Sequence, residues 1–319
     1  MSIDVLCAGL IVADHVCAPI PSFPPPGSLV TTDRLELTIG GSAANAAVDC
    51  VQLGLSAALA GRVGDDVLGR FVVESMTAQG VQCDTVTLSR TAQTSATLVI
   101  NVRGEDRRFL HAVGANAEFT GREIPAPAIA RCRALCVGGF GLNPALSGEN
   151  VAALFHRARQ SGAVTVLDVV VGDREALPPM LKAALPETDL FLPNEDESRL
   201  ILGETDPLQQ ARQFRDWGAR TVVITRGGRG AVLLGPEGGL VAEAYPVECI
   251  DGTGGGDAFL AGFVYGLLKG AGQEECLRYG SAMGASCVRS MGATTGVFHR
   301  DELEAFVAAH PLKLTPVTA

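Results

Sequence analysis

The stretch Asp251-Gly252-Thr253-Gly254-Gly255-Gly256-Asp257 places two opposed tendencies within seven residues. It lies between a strand-like run, residues 245–250, and an apolar helix-like run, residues 258–268. Consecutive glycines ahead of a helix let backbone N–H groups converge at the positive end of the helix dipole. The stretch is therefore a ready anion site. A carboxylate at the mouth of such a site repels the anion. Asp257 makes chemical sense there if a neighbouring group must lose a proton. An anion nest beside a base is what transfer of a phosphoryl group to a hydroxyl requires. The same residues also fit a tight turn in which an Asp caps a helix.

Such a turn must be held by larger elements. Apolar runs predict strands at residues 3–12, 57–61, 134–138, 163–168, 189–192 and 221–225. Helical spacing predicts helices at 42–53, 67–79, 149–160, 175–184, 195–202 and 207–217, several of them stopped by Gly54, Gly80, Gly162 and Gly203. Repeated β-then-α units imply an α/β fold, a mostly parallel sheet with helices on both faces in three αβα layers. Ligands in such folds gather beyond the C-terminal strand ends. Two segments break the rhythm. Residues 18–39 are Pro-rich and end in alternating Leu35, Leu37 and Ile39. Residues 94–114 alternate through Ala96, Leu98, Ile100 and Val102, turn at Gly104-Glu105-Asp106, and return through Phe109, His111 and Val113. We expect one domain over 1–319, with a small β-sheet lid from about 15–40 and 94–114. A pair of surface hairpins with no moving part is the plainer alternative.

Composition narrows the classes. With 25 basic and 35 acidic residues the formal net charge is −10, which argues against a nucleic-acid or membrane-surface binder. Nine Cys are scattered with no Cys-x-x-Cys pair, so a zinc site is not expected. Cys7, Cys136 and Cys249 lie in apolar runs, and an odd number of such thiols fits a reducing, cytoplasmic setting. The first strand would need Gly-x-Gly-x-x-Gly after it for a dinucleotide site. Cys7-Ala8-Gly9-Leu10-Ile11-Val12 stands there instead, and no P-loop motif occurs.

The chain resembles the ribokinase-like carbohydrate kinases, the PfkB family, in two distant regions. The first is Gly40-Gly41-Ser42-Ala43-Ala44-Asn45-Ala46-Ala47, with Leu53-Gly54 and Gly61-Arg62-Val63-Gly64-Asp65-Asp66-Val67-Leu68-Gly69 after it. The second is the 251–257 stretch, similar to the family's Asp-Thr-x-Gly-Ala-Gly-Asp. The resemblance implies a Rossmann-like αβα fold with a β-sheet lid. It implies Asp257 as catalytic base and Gly254, Gly255 and Gly256 as the anion hole. Gly255 stands where Ala is usual, and Gly252 where Thr is usual, so a hydroxyl near the phosphates is missing. The resemblance further implies Asp14, Gly41 and Asn45 as sugar-binding. Asn194 and Glu197 match an Asn-x-x-Glu element that orders Mg²⁺, largely through water, and phosphate. Thr225, Gly227 and Gly230 match a nucleotide loop. Residues 285–293 correspond to a region lining the adenine pocket. Asp251 lies where some members bind a monovalent cation such as K⁺.

Each carry-over has a plainer reading in the sequence. Asn194 and Glu197 have the spacing of a capping box, and 225–230 that of a hairpin turn. Trp217 reads as packing, Arg107 and Arg108 as solvated, and His111 has no partner in sequence. The expected activity is ATP- and Mg²⁺-dependent phosphorylation of an alcohol on a small sugar. A nucleoside or sugar-acid kinase, or a sugar sensor that has lost the chemistry, are the alternatives. Relatives handle ribose, fructose, keto-deoxy acids, nucleosides and phosphosugars, and some dimerise through the lid. No Lys precedes Lys182, which favours a neutral substrate.

Overall fold

The computed structural model describes residues 3–105 and 108–318. Its strands are β1 (Ile3–Gly9), β2 (Val12–Cys17), β3 (Leu35–Gly40), β4 (Ala57–Gly64), β5 (Gln82–Ser89), β6 (Ala96–Ile100), β7 (Arg108–Ala112), β8 (Cys132–Phe140), β9 (Val164–Val169), β10 (Leu190–Phe191), β11 (Thr221–Thr225), β12 (Ala231–Gly235), β13 (Gly238–Ala242) and β14 (Leu314–Val317). Ten of them form one sheet in the order β14-β13-β12-β11-β10-β9-β8-β1-β4-β5. Pairing is parallel from β5 to β11 and antiparallel from β11 to β14. A parallel sheet is covered on both faces, so its strands are apolar on both. In β1, Val5 and Cys7 enter one core cluster, while Leu6 and Ala8 enter the other.

The helices are α1 (Ser42–Gln52), α2 (Val67–Ala78), α3 (Ala126–Arg131), α4 (Gly148–Gln160), α5 (Leu177–Ala184), α6 (Glu195–Leu202), α7 (Pro207–Asp216), α8 (Gly255–Leu268), α9 (Gln273–Cys287) and α10 (Arg300–Ala309). Residues of α1, α2, α8, α9 and α10 fill the first cluster, and those of α3, α4, α5 and α7 fill the second. The layers are therefore helix, sheet, helix, as expected. The alanines of α1 let it lie close on the sheet, where a Cβ at Gly138 would meet Ala43 N at 2.7 Å. Trp217 packs edge-on against Phe214, centroids 5.4 Å apart. No helix among the described residues is long and apolar enough to cross a membrane.

β3, β2, β6 and β7 form a second, four-stranded sheet. Both segments that break the βα rhythm contribute to it. Asp106 of the expected turn and Arg107 lie outside the described residues. Arg108 pairs with Glu105 and is half exposed.

Two expectations need correction. The run 3–12 is not one strand: it ends at Gly9, and the chain changes sheets. Gly9 has φ +129 and lies against the Gly138 carbonyl, which accepts from Leu10 N at 3.1 Å. Asp14, just past that run, therefore stands within β2 on the small sheet. Residues 245–250 are not a strand either. The edge of β13 is taken by β14, and Ile250 N donates to Val288 O at the end of α9 instead.

Candidate active site

Asp257 is the third residue of α8, whose cap Gly254 has φ 78 and ψ −6. Ala cannot hold that left-handed conformation without strain, and Gly can. The first amides of α8 have no partner within the helix, and Gly255 N makes only a long bond of 3.4 Å, to Gly252 O in the turn. The Asp257 carboxylate is held from α1: Asn45 Nδ2 donates to its Oδ2 at 2.8 Å, and the Ser42 hydroxyl lies near enough to favour its charged form. Residues 212 apart in sequence thus form one unit. The Ser42 hydroxyl also acts on Asp168, near the end of β9, which accepts from Gly139 N at 2.9 Å.

Ser42 and Asp168 were not singled out from sequence. The signal for Asp168 was available, since it is an acidic residue at the C-terminal end of a buried parallel strand. It joins Glu197 and Asp257 in a cluster of three carboxylates that act on one another. Burial pushes Asp257 up to about 8, with the charge of Asp168 adding to it and the Asn45 and Ser42 hydrogen bonds opposing. Glu197 rises to about 8 for the same first cause, and Asp168 to about 6. Among the described residues no basic side chain is among the charges that act on the three.

Asn194 and Glu197 do make a capping box: Glu197 N donates to Asn194 Oδ1 at 2.8 Å and Asn194 N to Glu197 Oε2 at 2.9 Å. This fixes Glu197 at the start of α6 and uses one of its two oxygens. Asn194 bridges to Thr225 at the end of β11. Thr225, Gly227 and Gly230 line a cavity of about 460 Å³ that also receives Gly255 and Gly256 of α8. Ser281, Gly284 and Ala285 of α9 form its far wall. The nucleotide-loop residues and the glycine nest thus share one cavity, while Asn194, Glu197 and Asp257 are not among its lining. Asp251 accepts from Thr253 N at 2.9 Å and Gly292 N at 3.0 Å, which ties the glycine stretch to the 290s loop.

The small sheet brings Asp14 to the Gly40–Gly41 junction. Its carboxyl occupies the space a Gly40 side chain would need. Gly41, with φ +92, passes so close to Leu10 that a Cβ would meet the Leu10 carbonyl oxygen at 2.6 Å. Register sets Thr38, Asp14, Thr97 and His111 side by side across the four strands. Thr97 Oγ1 and His111 Nδ1 are 3.0 Å apart, so His111 has a partner that sequence did not show. Burial raises the Asp14 carboxyl, opposed by the Thr97 hydrogen bond and by His15.

The raised carboxylates have a consequence for stability. Asp49, fully buried one turn beyond Asn45 on α1, is raised as well, by burial and by Asp257. A carboxyl whose folded value exceeds its unfolded value of about 4 binds more protons folded than unfolded. Its contribution is complete below the unfolded value and lost as pH rises through the folded one. Glu197 and Asp257 act in this direction between pH of about 4 and about 8, Asp168 up to about 6, and Asp49 acts in the same direction. His111, lowered by burial, opposes them weakly, and Asp4 and Asp66, held low, change only at more acid pH. Thermal melting of the ligand-free protein should therefore show Tm falling by several degrees from pH 5 to pH 8, at roughly 1.4 kcal/mol per unit and group as an upper slope. A Tm that climbs over this range would contradict the assignment.

Comparison with known proteins finds relatives along nearly the whole chain. The model of the pfkB family carbohydrate kinases matches residues 2–299. Ribokinase of Haemophilus influenzae is 27% identical over 304 residues, covering 94% of this chain and 96% of that protein. Aminoimidazole riboside kinase of Salmonella typhimurium is 28% identical over 285 residues, covering 86% and 89%. Arabidopsis thaliana ribokinase, solved with ribose and ATP, superposes with a TM-score of 0.84 at 22% identity, covering 96% of this chain and 99% of that one. With a family match along nearly its whole length, the chain belongs to the pfkB family of carbohydrate kinases.

Proposed function

We propose that this protein transfers the γ-phosphoryl group of ATP to a hydroxyl of a small, uncharged sugar or nucleoside. The observation that carries this reading is the Asp257 carboxylate, held by Asn45 and Ser42 at the first turn of α8 beside a glycine-lined cavity. Asp257 accepts the proton of the acceptor hydroxyl. The α8 amides face the charge that develops on the transferred group. Asn45 and the Thr38–Asp14–Thr97–His111 row offer donors and acceptors to the remaining hydroxyls.

Asp168 and Glu197 fit a magnesium ion. They are oxygen ligands with no cation acting on them, and among the described residues no three His, Cys, Asp or Glu form a closed cage. Magnesium keeps much of its water, so two carboxylates suffice. When bound it would neutralise phosphate charge.

The small sheet is the lid in this reading. It joins the main body at Leu10–Ile11, at Gly40–Gly41, through the segment holding Thr94, and at Val113–Gly114. Thr94 is pinned by Asp66, whose two oxygens accept from Thr94 N at 2.7 Å and Thr94 Oγ1 at 2.6 Å. Closure over the acceptor excludes water.

The acidic surroundings select an uncharged acceptor. Among the described residues His15 is the one basic group acting on Asp14, and the cluster around Asp257 has none. ADP release should therefore be stimulated by neutral sugars or nucleosides. Sugar acids and sugar phosphates at equal concentration should stimulate it little, and release without acceptor should stay small. Preference for an anionic acceptor would overturn the substrate class. Binding of a sugar with no acceptor-dependent ADP release would support a sensor instead.

A further inference from the structure

Ser42, Asn45, Asp49 and Gln52 recur at helical spacing on α1, so they share one face. The middle of that face, at Asn45 and Asp49, is buried, and it is polar. Ser42 and Asn45 hold Asp257, while Gln52 Nε2 donates to Thr294 O at 3.2 Å. Between them Asp49 has 0% exposure. Asn45 Oδ1, both Asp49 oxygens and Gln52 Oε1 are buried without a hydrogen-bond donor from the protein.

These orphaned atoms are all acceptors. An ionised carboxylate enclosed with neither cation nor donor is too costly to persist, and such a group takes up a proton instead. The titratable groups acting with Asp49 are Asp257 on α8, Cys287 on α9 and Cys50 on its own helix. None of them is a cation. A neutral Asp49 has one O–H to give. One helical turn back, where residues i and i+4 meet, lies the unpartnered Asn45 Oδ1. An Asn amide presents oxygen on one side and NH₂ on the other. Whatever donates to Oδ1 therefore keeps Nδ2 on Asp257. If the amide turned over, its oxygen would face the carboxylate and repel it.

We propose that Asp49 is a positioning residue for the catalytic base: as a neutral carboxylic acid it donates, directly or through one enclosed water, to Asn45 Oδ1, and so locks the Asn45 amide with Nδ2 on Asp257. This inference rests on the kinase reading, and one of its tests does not. Asn at position 49 keeps a donor, and Leu has about the same bulk without one. Asp49→Asn should keep kcat/KM within about threefold of wild type, and Asp49→Leu should lose about tenfold, one hydrogen bond's worth. The Leu variant should also move the acidic limb of the kcat/KM–pH profile to higher pH, because an amide oxygen facing Asp257 favours its protonated form. A packing role alone would leave that limb in place. Wild-type kcat/KM and limb in Asp49→Leu would overturn the proposal, as would an equal loss in both variants. Infrared difference spectra of wild type against Asp49→Asn at pH 7 should show the carbonyl stretch of a protonated carboxylic acid. Its absence would overturn the proposal whether or not any acceptor is phosphorylated. Its presence alongside a silent acceptor panel would place the failure in the kinase reading.

Discussion

Asp257→Asn should lower kcat by about 10³-fold, roughly 4 kcal/mol of barrier, while leaving ATP binding nearly unchanged. The carboxylate stands at the first turn of α8, held by Asn45 and Ser42. An amide of the same shape can still accept from Asn45 Nδ2, so the geometry should survive. What it cannot do is take a proton. In the proposed reading nucleotide affinity rests on the cavity around Thr225, Gly227 and Gly255, whose lining does not include Asp257. The two effects therefore separate, and nucleotide binding by calorimetry beside steady-state turnover reads both. The pH profile gives a second check. Burial and Asp168 raise the base above the ordinary carboxylate range. Wild-type kcat/KM should accordingly increase with pH through a limb higher than that of an ordinary carboxylate, and the variant should lack that limb. Turnover within about tenfold of wild type, only ~1.4 kcal/mol, would mean that Asp257 is not the base.

The parts of this site legible in sequence are those carried by local backbone chemistry. A run of glycines before an apolar helix signals the nest around Gly254 whatever surrounds it. Asn194 and Glu197 announced a helix start, and the box they form is compatible with either role weighed for them. Ser42 was less legible, because its worth lies in partners on β9 and α8. Its own neighbours say only that a helix begins. The end of β1 was hidden for a related reason. Residues 3–12 are continuously apolar, and only the close approach of Gly9 to Gly138 shows where the chain must leave one sheet for the other. At 245–250 a strand-like composition serves a pocket wall, with Tyr245 packed on Phe306 at 4.9 Å and Cys249 facing the cavity. The polar row ending at His111 follows from register between strands, which no single strand encodes.

Gly254→Ala should damage fold and chemistry together. Gly254 has φ +78, and a Cβ there would press on the Ala293 carbonyl oxygen and stand 2.6 Å from Ala293 Cα. The left-handed conformation alone costs Ala about 1 kcal/mol. The clash adds more, because the obstacle is backbone that cannot swing aside. Ala293 belongs to a loop fixed by Cys287 Sγ, which donates to Ala293 O at 3.1 Å, and by Asp251, which accepts from Gly292 N. Relief must therefore come from the turn itself. That displaces the Gly255 and Gly256 amides, and loss of one aligned donor to a developing anion costs about 10²-fold or more in kcat. We expect a total near 3 kcal/mol and a Tm lower by about 5 °C or more, with kcat down at least about 10²-fold. Gly256→Ala separates strain from position. Its Cβ would meet nothing within 4 Å and its φ is not positive, so its Tm should stay near wild type. If Gly254→Ala melts within about 2 °C of wild type and turns over at a similar rate, the nest does not depend on the left-handed cap. The anion site would then have to be sought elsewhere along the cavity.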